Sequence, residues 1–472
     1  MDSTILAAIG VVVLIHFIFT HYIDVTKDVN ELYLNEQSTI ETTALENQSP
    51  IYKSCKLDYN GLRVGLDIRY DHYKLRNGNF CDIWEIAMKA WNKDNNKSLK
   101  LNGEKVNYGV LNYNIHEVIK YLNENEIKSV GIKINGFLKS VENLTVVLAC
   151  LVNATLINFY DVDADVDVLA EDIPVSLKTS VLEAFTNEYD FEKDKGIRLR
   201  ISESGSKIIS HTDYVAINFI SSVAAAIKHL PLTEKFTSKD KFLIVNNMTV
   251  TNVLSKVLVG LVTNADITIV QDKSLKDLLT YQSSVIFTSS DVVDDEVIDS
   301  LVYSSSVLDK LKYQTLKYFL SKGKFSKLKN SPLRLLYLSK SINKDNQLST
   351  SSLNRLRSIL NARVIVENTV KSIVGPVILS DFYDYRILSS KLEANLTGNG
   401  CICQSNEVKL ANLSTTNYGD IMIRGYNVGK VNNYLIGKGS IETKANKDDE
   451  GFLTLTNVKG KWGSDGCLYV CK

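Results

Sequence analysis

From about residue 51 onward, apolar runs of strand length alternate with amphipathic segments of helix length, and this rhythm admits few architectures. Ser129 to Ile134 (SVGIKI) reads as a buried strand, followed by a helix through Leu144 to Leu151 and a strand through Leu156 to Tyr160. Tyr214 to Leu230 (YVAINFISSVAAAIKHL) has the length and alanine content of a helix. Phe242 to Val245, Ile267 to Val270, Val285 to Thr288, Leu333 to Leu338 and Arg363 to Val366 read as strands, and Val250 to Val262 as a helix between the first two. Alternation of this kind predicts parallel sheets covered by helices, an α/β fold. Beyond about Leu396 the strands shorten, as in Glu407 to Leu410 and Ile421 to Arg424, and Gly and Asn punctuate them. A smaller β-rich subdomain is expected there.

The N-terminus is the sharpest local signal. Ile5 to Phe19 (ILAAIGVVVLIHFIF) is broken only by His16, and with its neighbours over residues 4–23 it approaches the ~20 residues that span a bilayer. A cleavable signal peptide would carry basic residues before the run and a small-x-small site after it; neither is present. An uncleaved transmembrane anchor over 1–24 is expected. Residues 25–50 are polar, acidic and aperiodic, and read as a linker. The body is divided into an α/β part over 51–395 and the β-rich part over 396–472.

Composition excludes several roles. Lys plus Arg and Asp plus Glu number 54 each, so the chain has no net charge and no general nucleic-acid surface is indicated. Seven cysteines in 472 residues read as reduced thiols, and Cys401, Cys403, Cys467 and Cys471 lack the accompanying His cluster of a zinc site, so no metal is expected. His72, His116, His211 and His229 are isolated, with no recognisable nucleophile–base spacing that would mark a hydrolase. One segment stands out: residues 309–329 hold seven lysines and one acid, interleaved with Leu311, Tyr313, Leu316, Phe319, Phe325 and Leu328. Such a helix suits anionic lipid headgroups, or is a surface helix with a solvated lysine face.

Several segments, in one order, resemble the adenylate-forming (AMP-binding) long-chain acyl-CoA synthetases. They are His211 to Pro231, Phe242 to Asp272 (FLIVNNMTVTNVLSKVLVGLVTNADITIVQD), Leu333 to Ile342 (LRLLYLSKSI), Arg363 to Pro376, Ser405 to Leu410 (SNEVKL), Gly419 to Val428 (GDIMIRGYNV) and Gly451 to Val470 (GFLTLTNVKGKWGSDGCLYV). The resemblance implies the family's large N-terminal domain, parallel sheets with flanking helices, plus a small β-rich subdomain. In that family an acyl-adenylate is made from ATP and a carboxylate, and the acyl group then passes to coenzyme A.

Against the family's motifs this sequence looks degenerate. The Gly/Ser/Thr phosphate loop corresponds to Ile201 to His211 (ISESGSKIISH), which keeps Ser202, Gly205 and Ser206 as remnants, with Lys207 for the loop lysine, but places Glu203 where negative charge would repel phosphate. A second stretch, Phe287 to Ser290, mimics the start of the motif but is followed by Asp291, Asp294, Asp295 and Glu296, and fits a strand-to-helix cap better. Lys371 stands where the family's magnesium-binding Glu belongs. Lys340 and Ser341 replace the Gly-Gly of the adenine-facing loop, and Asn457 replaces the Asp that accepts from the ribose hydroxyls. The family's C-terminal lid domain and its lysine are expected to be missing.

The apolar N-terminus and sparse cysteines, taken with the departures from the family it resembles, lead us to expect a membrane-anchored pseudo-enzyme at the endoplasmic reticulum or a lipid droplet, with its body cytosolic. It would bind a fatty acid, an acyl-CoA or a protein partner, with no cofactor. Contact with the membrane would run through residues 4–23 and the basic helix over 309–329. The alternatives are a residual long-chain fatty acid-CoA ligase using ATP and Mg, and a purely structural membrane scaffold.

Overall fold

A computed structural model describes the chain except at residues 1–2, 42–44, 58–60, 63–77, 95–96, 162–165, 175–176, 186–195, 205–207, 304–305, 329–330, 346–347, 436–442, 445–446 and 472. Side chains are also not described at 3–4, 6–8, 31, 204, 208–209, 433–435 and 443–444.

The apolar strands pair as their two-sided hydrophobicity demands. Six run parallel in the order Ser98–Leu101, Asp266–Val270, Lys241–Val245, Val285–Ser289, Leu335–Ser341 and Arg363–Thr369. Alternate residues serve opposite faces. Phe242, Ile244, Phe287, Leu335, Tyr337 and Ile365 join one core with helix Val250–Thr263, and Leu243, Val245, Ile286, Leu336, Leu338 and Val364 join another with helix Thr350–Leu360.

Beyond Arg363–Thr369 the same sheet continues with antiparallel strands: Pro376–Leu379, Leu396–Ile402, Leu468–Cys471, Leu453–Trp462, Gly419–Gly425 and Asn406–Ala411. They enclose a third core of Val377, Ile402, Val408, Ile421, Ile423 and Val470. A second sheet has Ser129–Lys133, Leu156–Tyr160 and Leu199–Ser204 in parallel, then Ile208–Tyr214 and Lys430–Leu435 antiparallel. The α/β reading is met.

Of three expectations, one is not supported and two are corrected. First, the apolar run is helical over Ser3–Val25, but its side chains are described only at Ile5 and from residue 9 onward. Among the described residues no helix is long and apolar enough to cross a membrane. A bilayer-spanning helix over 4–23 is thus not supported.

Second, the segment read as a linker over 25–50 is docked on the body. Asp28 accepts hydrogen bonds from Phe325 N (3.1 Å), Arg363 Nη2 (3.1 Å) and Tyr385 Oη (2.8 Å). Ser38–Ile40 pairs with Tyr52–Ser54, which pairs with Asn406–Ala411, so the segment extends the large sheet to its edge. Third, Tyr214 ends a strand instead of starting a helix. The helix is Ala216–Lys228, and the Asn218 side chain closes its first turn by accepting from Val215 N (2.8 Å).

Helix Val307–Ser321 carries the first part of the basic segment and packs on the end of the N-terminal helix. The rings of Phe19 and Tyr318 lie 6.0 Å apart, those of Phe19 and Phe319 5.9 Å, and Lys324 Nζ sits 4.2 Å above Tyr22.

Candidate functional site

In open parallel sheets, ligands bind beyond the C-terminal ends of strands where the chain order reverses. Here the chain passes from Lys241–Val245 to Asp266–Val270 on one side, then returns to Val285–Ser289 on the other. The crevice between those strand ends is laced by one side chain. Asn247 Nδ2 donates to Asp272 Oδ1 (2.9 Å) and Thr288 Oγ1 (3.1 Å), and its Oδ1 accepts from Ser289 N (2.9 Å). All three strand ends are thereby joined. The Phe287 to Ser290 stretch is a strand followed by a short 3-10 turn, with Ser289 Oγ accepting from Asp291 N as the cap. Serine hydroxyls used this way are turned to the backbone, away from any phosphate.

Behind the crevice lies a buried polar network. Helix Val250–Thr263 places Asn252 and Lys256 four residues apart on one face. Strand register sets Ser339 directly opposite Glu367. Lys256 Nζ pairs with Glu367 Oε1, Ser339 Oγ donates to Glu367 Oε2 (2.6 Å), and Asn252 Nδ2 donates to Ser339 Oγ (2.9 Å). The ammonium also faces the rings of Phe287 (5.1 Å) and Tyr337 (5.3 Å). Lys256 and Glu367 are 3% and 4% exposed. At that depth the two charges hold only because they pair, and removing either strands the other. His229 adjoins this network and is held as a neutral ring: its Nδ1 faces Ala226 O (2.7 Å), its Nε2 faces Tyr337 Oη (2.9 Å), and burial lowers its pKa to about 3.

The residues singled out in the sequence have mixed fates. Most of Ile201 to His211 falls in two antiparallel strands, Leu199–Ser204 and Ile208–Tyr214, in which Ser202 is opposite His211. Ser202 Oγ donates to Asn158 Oδ1 (2.9 Å) and lies 2.8 Å from His211 Nδ1, so its hydroxyl is engaged on both sides. Gly205, Ser206 and Lys207 lie outside the described residues. Glu203 and Lys371 are brought together: the ammonium sits 3.0 Å from each carboxylate oxygen. Lys340 turns inward toward helix Thr350–Leu360, and Ser341 remains exposed. Asn457 is also exposed, at a backbone φ of 58° where the register of Leu453–Trp462 against Gly419–Gly425 shifts. Asparagine is among the few residues that tolerate that left-handed turn, so its place is accounted for by the bulge.

Asn247, Asn252, Lys256 and Glu367 were not singled out for this role from sequence. The available signal was a single lysine in the otherwise uncharged helix Val250–Thr263, and a Glu directly after the apolar run Val364 to Val366 within the strand Arg363–Thr369. Among the described residues, no group of three or more His, Cys, Asp or Glu is placed to hold a metal ion.

The paired α/β sheets with their antiparallel extension match the fold of the adenylate-forming enzymes' N-terminal domain. The chain is similar to apo MatB from Rhodopseudomonas palustris (TM-score 0.56, 15% identity, 83% of this chain and 78% of that one). It is also similar to a long-chain-fatty-acid-CoA ligase from Archaeoglobus fulgidus (0.54, 10%, 82% and 83%) and to the luciferase-like enzyme of the mealworm Zophobas morio (0.51, 12%, 83% and 95%). By sequence it is 24% identical to the uncharacterized protein YHR045W of Saccharomyces cerevisiae, over 95% of this chain and 94% of that one. No model of a known protein family matches it.

Proposed function

We propose that this chain uses the adenylate-forming fold without its chemistry, as a membrane-associated protein that binds a lipid or protein partner. The observation that carries this reading is the closure of the strand-end crevice by the protein's own side chains. Asn247 ties the three strand ends together, and Lys256, Ser339 and Glu367 satisfy one another behind it. Lys371, at the position the resemblance gives to a magnesium ligand, is a cation paired to Glu203. These residues do not fit ATP with magnesium, since a hard cation needs carboxylate oxygens that are not already paired.

Membrane association is supported by the N-terminal helix, whose Val11, Val12, Leu14, Ile15, Phe17 and Ile18 are all more than half exposed. That helix meets the body beside the lysine-bearing helix Val307–Ser321, where anionic headgroups would find both apolar and cationic groups. The cytosolic face of the endoplasmic reticulum or a lipid droplet is the proposed location. The deciding experiment is ATP–pyrophosphate exchange with long-chain fatty acids, set against a boiled control. No exchange above the control is expected; exchange that is lost on mutating Lys371 or Asn457 would replace this reading with a residual ligase.

A further inference from the structure

A cavity of about 300 Å³ opens on the other face of the large sheet, toward helix Thr350–Leu360. The side-chain alternation that sends Ser339 and Glu367 to the crevice network sends their neighbours Lys340 and Asn368 here. Asn368 lines the cavity, is 0% exposed, and neither its amide oxygen nor its amide nitrogen has a hydrogen-bond partner. A buried amide left wholly unpaired is uncommon and calls for a missing partner. Gly398 keeps the space beside it open, since a Cβ there would run into the Asn368 amide.

Lys340, Arg357 and Arg386 line the cavity together with Asp384 and Glu393. Arg357, 3% exposed, donates to Asn354 Oδ1 (2.6 Å) and Val364 O (2.9 Å). No carboxylate among the described residues forms an ion pair with it, and burial lowers its pKa to about 10. Lys340 Nζ donates to the carbonyls of Lys344 (3.0 Å) and Thr397. Two carboxylates also face the cavity, but both are engaged: Asp384 by Arg386 (2.7 and 2.9 Å), and Glu393 by Thr350 N and Oγ1 (2.6 and 2.5 Å). Leu338, Leu353, Leu388 and Leu396 supply apolar wall. The volume is at the small end of ligand sites, which run from roughly 300 to 1,000 Å³.

We propose that this cavity binds a small amphipathic anion, with the head group taken by Arg357 and the Asn368 amide and the apolar part by the leucines. The site is on the opposite face of the sheet from the crevice, so it stands or falls independently of the adenylation reading.

The test is titration of the full chain with hexanoate, hexyl phosphate, hexanol and hexylammonium, followed by ligand-observed NMR. At least one of the two anions should bind about tenfold or more tightly than hexanol, with hexylammonium weakest. The preferred anion identifies the head group as carboxylate or phosphate. Asn368→Leu should weaken anion binding about tenfold. Leu348→Trp, at the half-buried rim, should block it while thermal unfolding shows both variants folded. Binding of hexanol as tight as the preferred anion, no binding of either anion, or full anion affinity in both folded variants would overturn the proposal.

Discussion

The Lys371 ammonium and the Glu203 carboxylate, 168 residues apart, form a two-pronged ion pair with both N–O distances at 3.0 Å. In sequence they look like two separate departures from an ATP site, a negative charge in a phosphate loop and a positive charge at a metal position. In the fold they are one complementary arrangement. The side chains are 73% and 38% exposed, so the pair contributes little to stability. Glu203→Gln and Lys371→Gln should each shift the urea-unfolding free energy by under about 1 kcal/mol, with a coupling of roughly 0.2–1 kcal/mol in the double-mutant cycle. Lys371→Glu should not bring about ATP–pyrophosphate exchange.

The buried pair behaves oppositely. Lys256→Met leaves Glu367 uncompensated at 4% exposure and should destabilise by about 3–5 kcal/mol. Lys256→Met combined with Glu367→Leu removes both charges and should recover most of that loss, measured by the same urea melts. If the double variant is as unstable as the sum of the singles, the two charges do not act as a pair.

His229 gives the fold an acid sensitivity. Its folded pKa is lowered to about 3 because burial disfavours the charged ring. Above pH 6.5 the ring is neutral folded or unfolded and contributes no slope. As pH falls below 6.5 the unfolded chain takes up a proton that the folded protein refuses until about pH 3, so stability declines through that window. The expected loss is about 2 kcal/mol between pH 6.5 and pH 5. His229→Gln should flatten that part of the stability–pH curve, whatever it does to stability at pH 8.

Asp28 fastens the N-terminal segment to the body through Phe325, Arg363 and Tyr385. Asp28→Ala strands the Arg363 guanidinium, which lies 4.1 Å from the Phe382 ring and 4.5 Å from that of Phe325. A cost of about 2–3 kcal/mol is expected. Amide hydrogen exchange over residues 26–35 should accelerate while the Lys241–Val245 strand stays protected.

The basic helix offers a membrane test on the intact chain. Lys310, Lys312, Lys317 and Lys322 are exposed, as are Val307, Leu308 and Leu311. Each lysine near an anionic leaflet adds about 1 kcal/mol, screened by salt. Changing all four to Gln should reduce co-flotation with phosphatidylserine vesicles at low salt and matter little at high salt. Equal flotation at low salt would leave the helix a solvated face.

Much of the fold was legible because its strands are buried on both faces, and Leu156–Tyr160, Lys241–Val245 and Asp266–Val270 stand within a residue of their expected limits. Local pattern failed where a distant partner decides. Tyr214 reads as helical, yet its hydroxyl donates to Lys371 O (2.7 Å) and its backbone pairs in a strand. Residues 25–50 look like a tether because the partners of Asp28 lie 297, 335 and 357 positions away. The candidate site was half legible. Glu203 and Lys371 stood out as wrong charges, but nothing local announces that they meet, nor that Lys256 finds Glu367 across 111 residues.

The strand Leu468–Cys471 lies in the interior of the large sheet, between Leu396–Ile402 and Leu453–Trp462. During synthesis at about 5–20 residues per second, the six parallel strands emerge well before it. Until that segment leaves the ribosome, its two neighbours have no common partner and each presents an open edge, the feature most prone to pairing with another chain. The β-rich half therefore closes only after the six parallel strands have emerged, when Leu468–Cys471 fills the gap between its two neighbours.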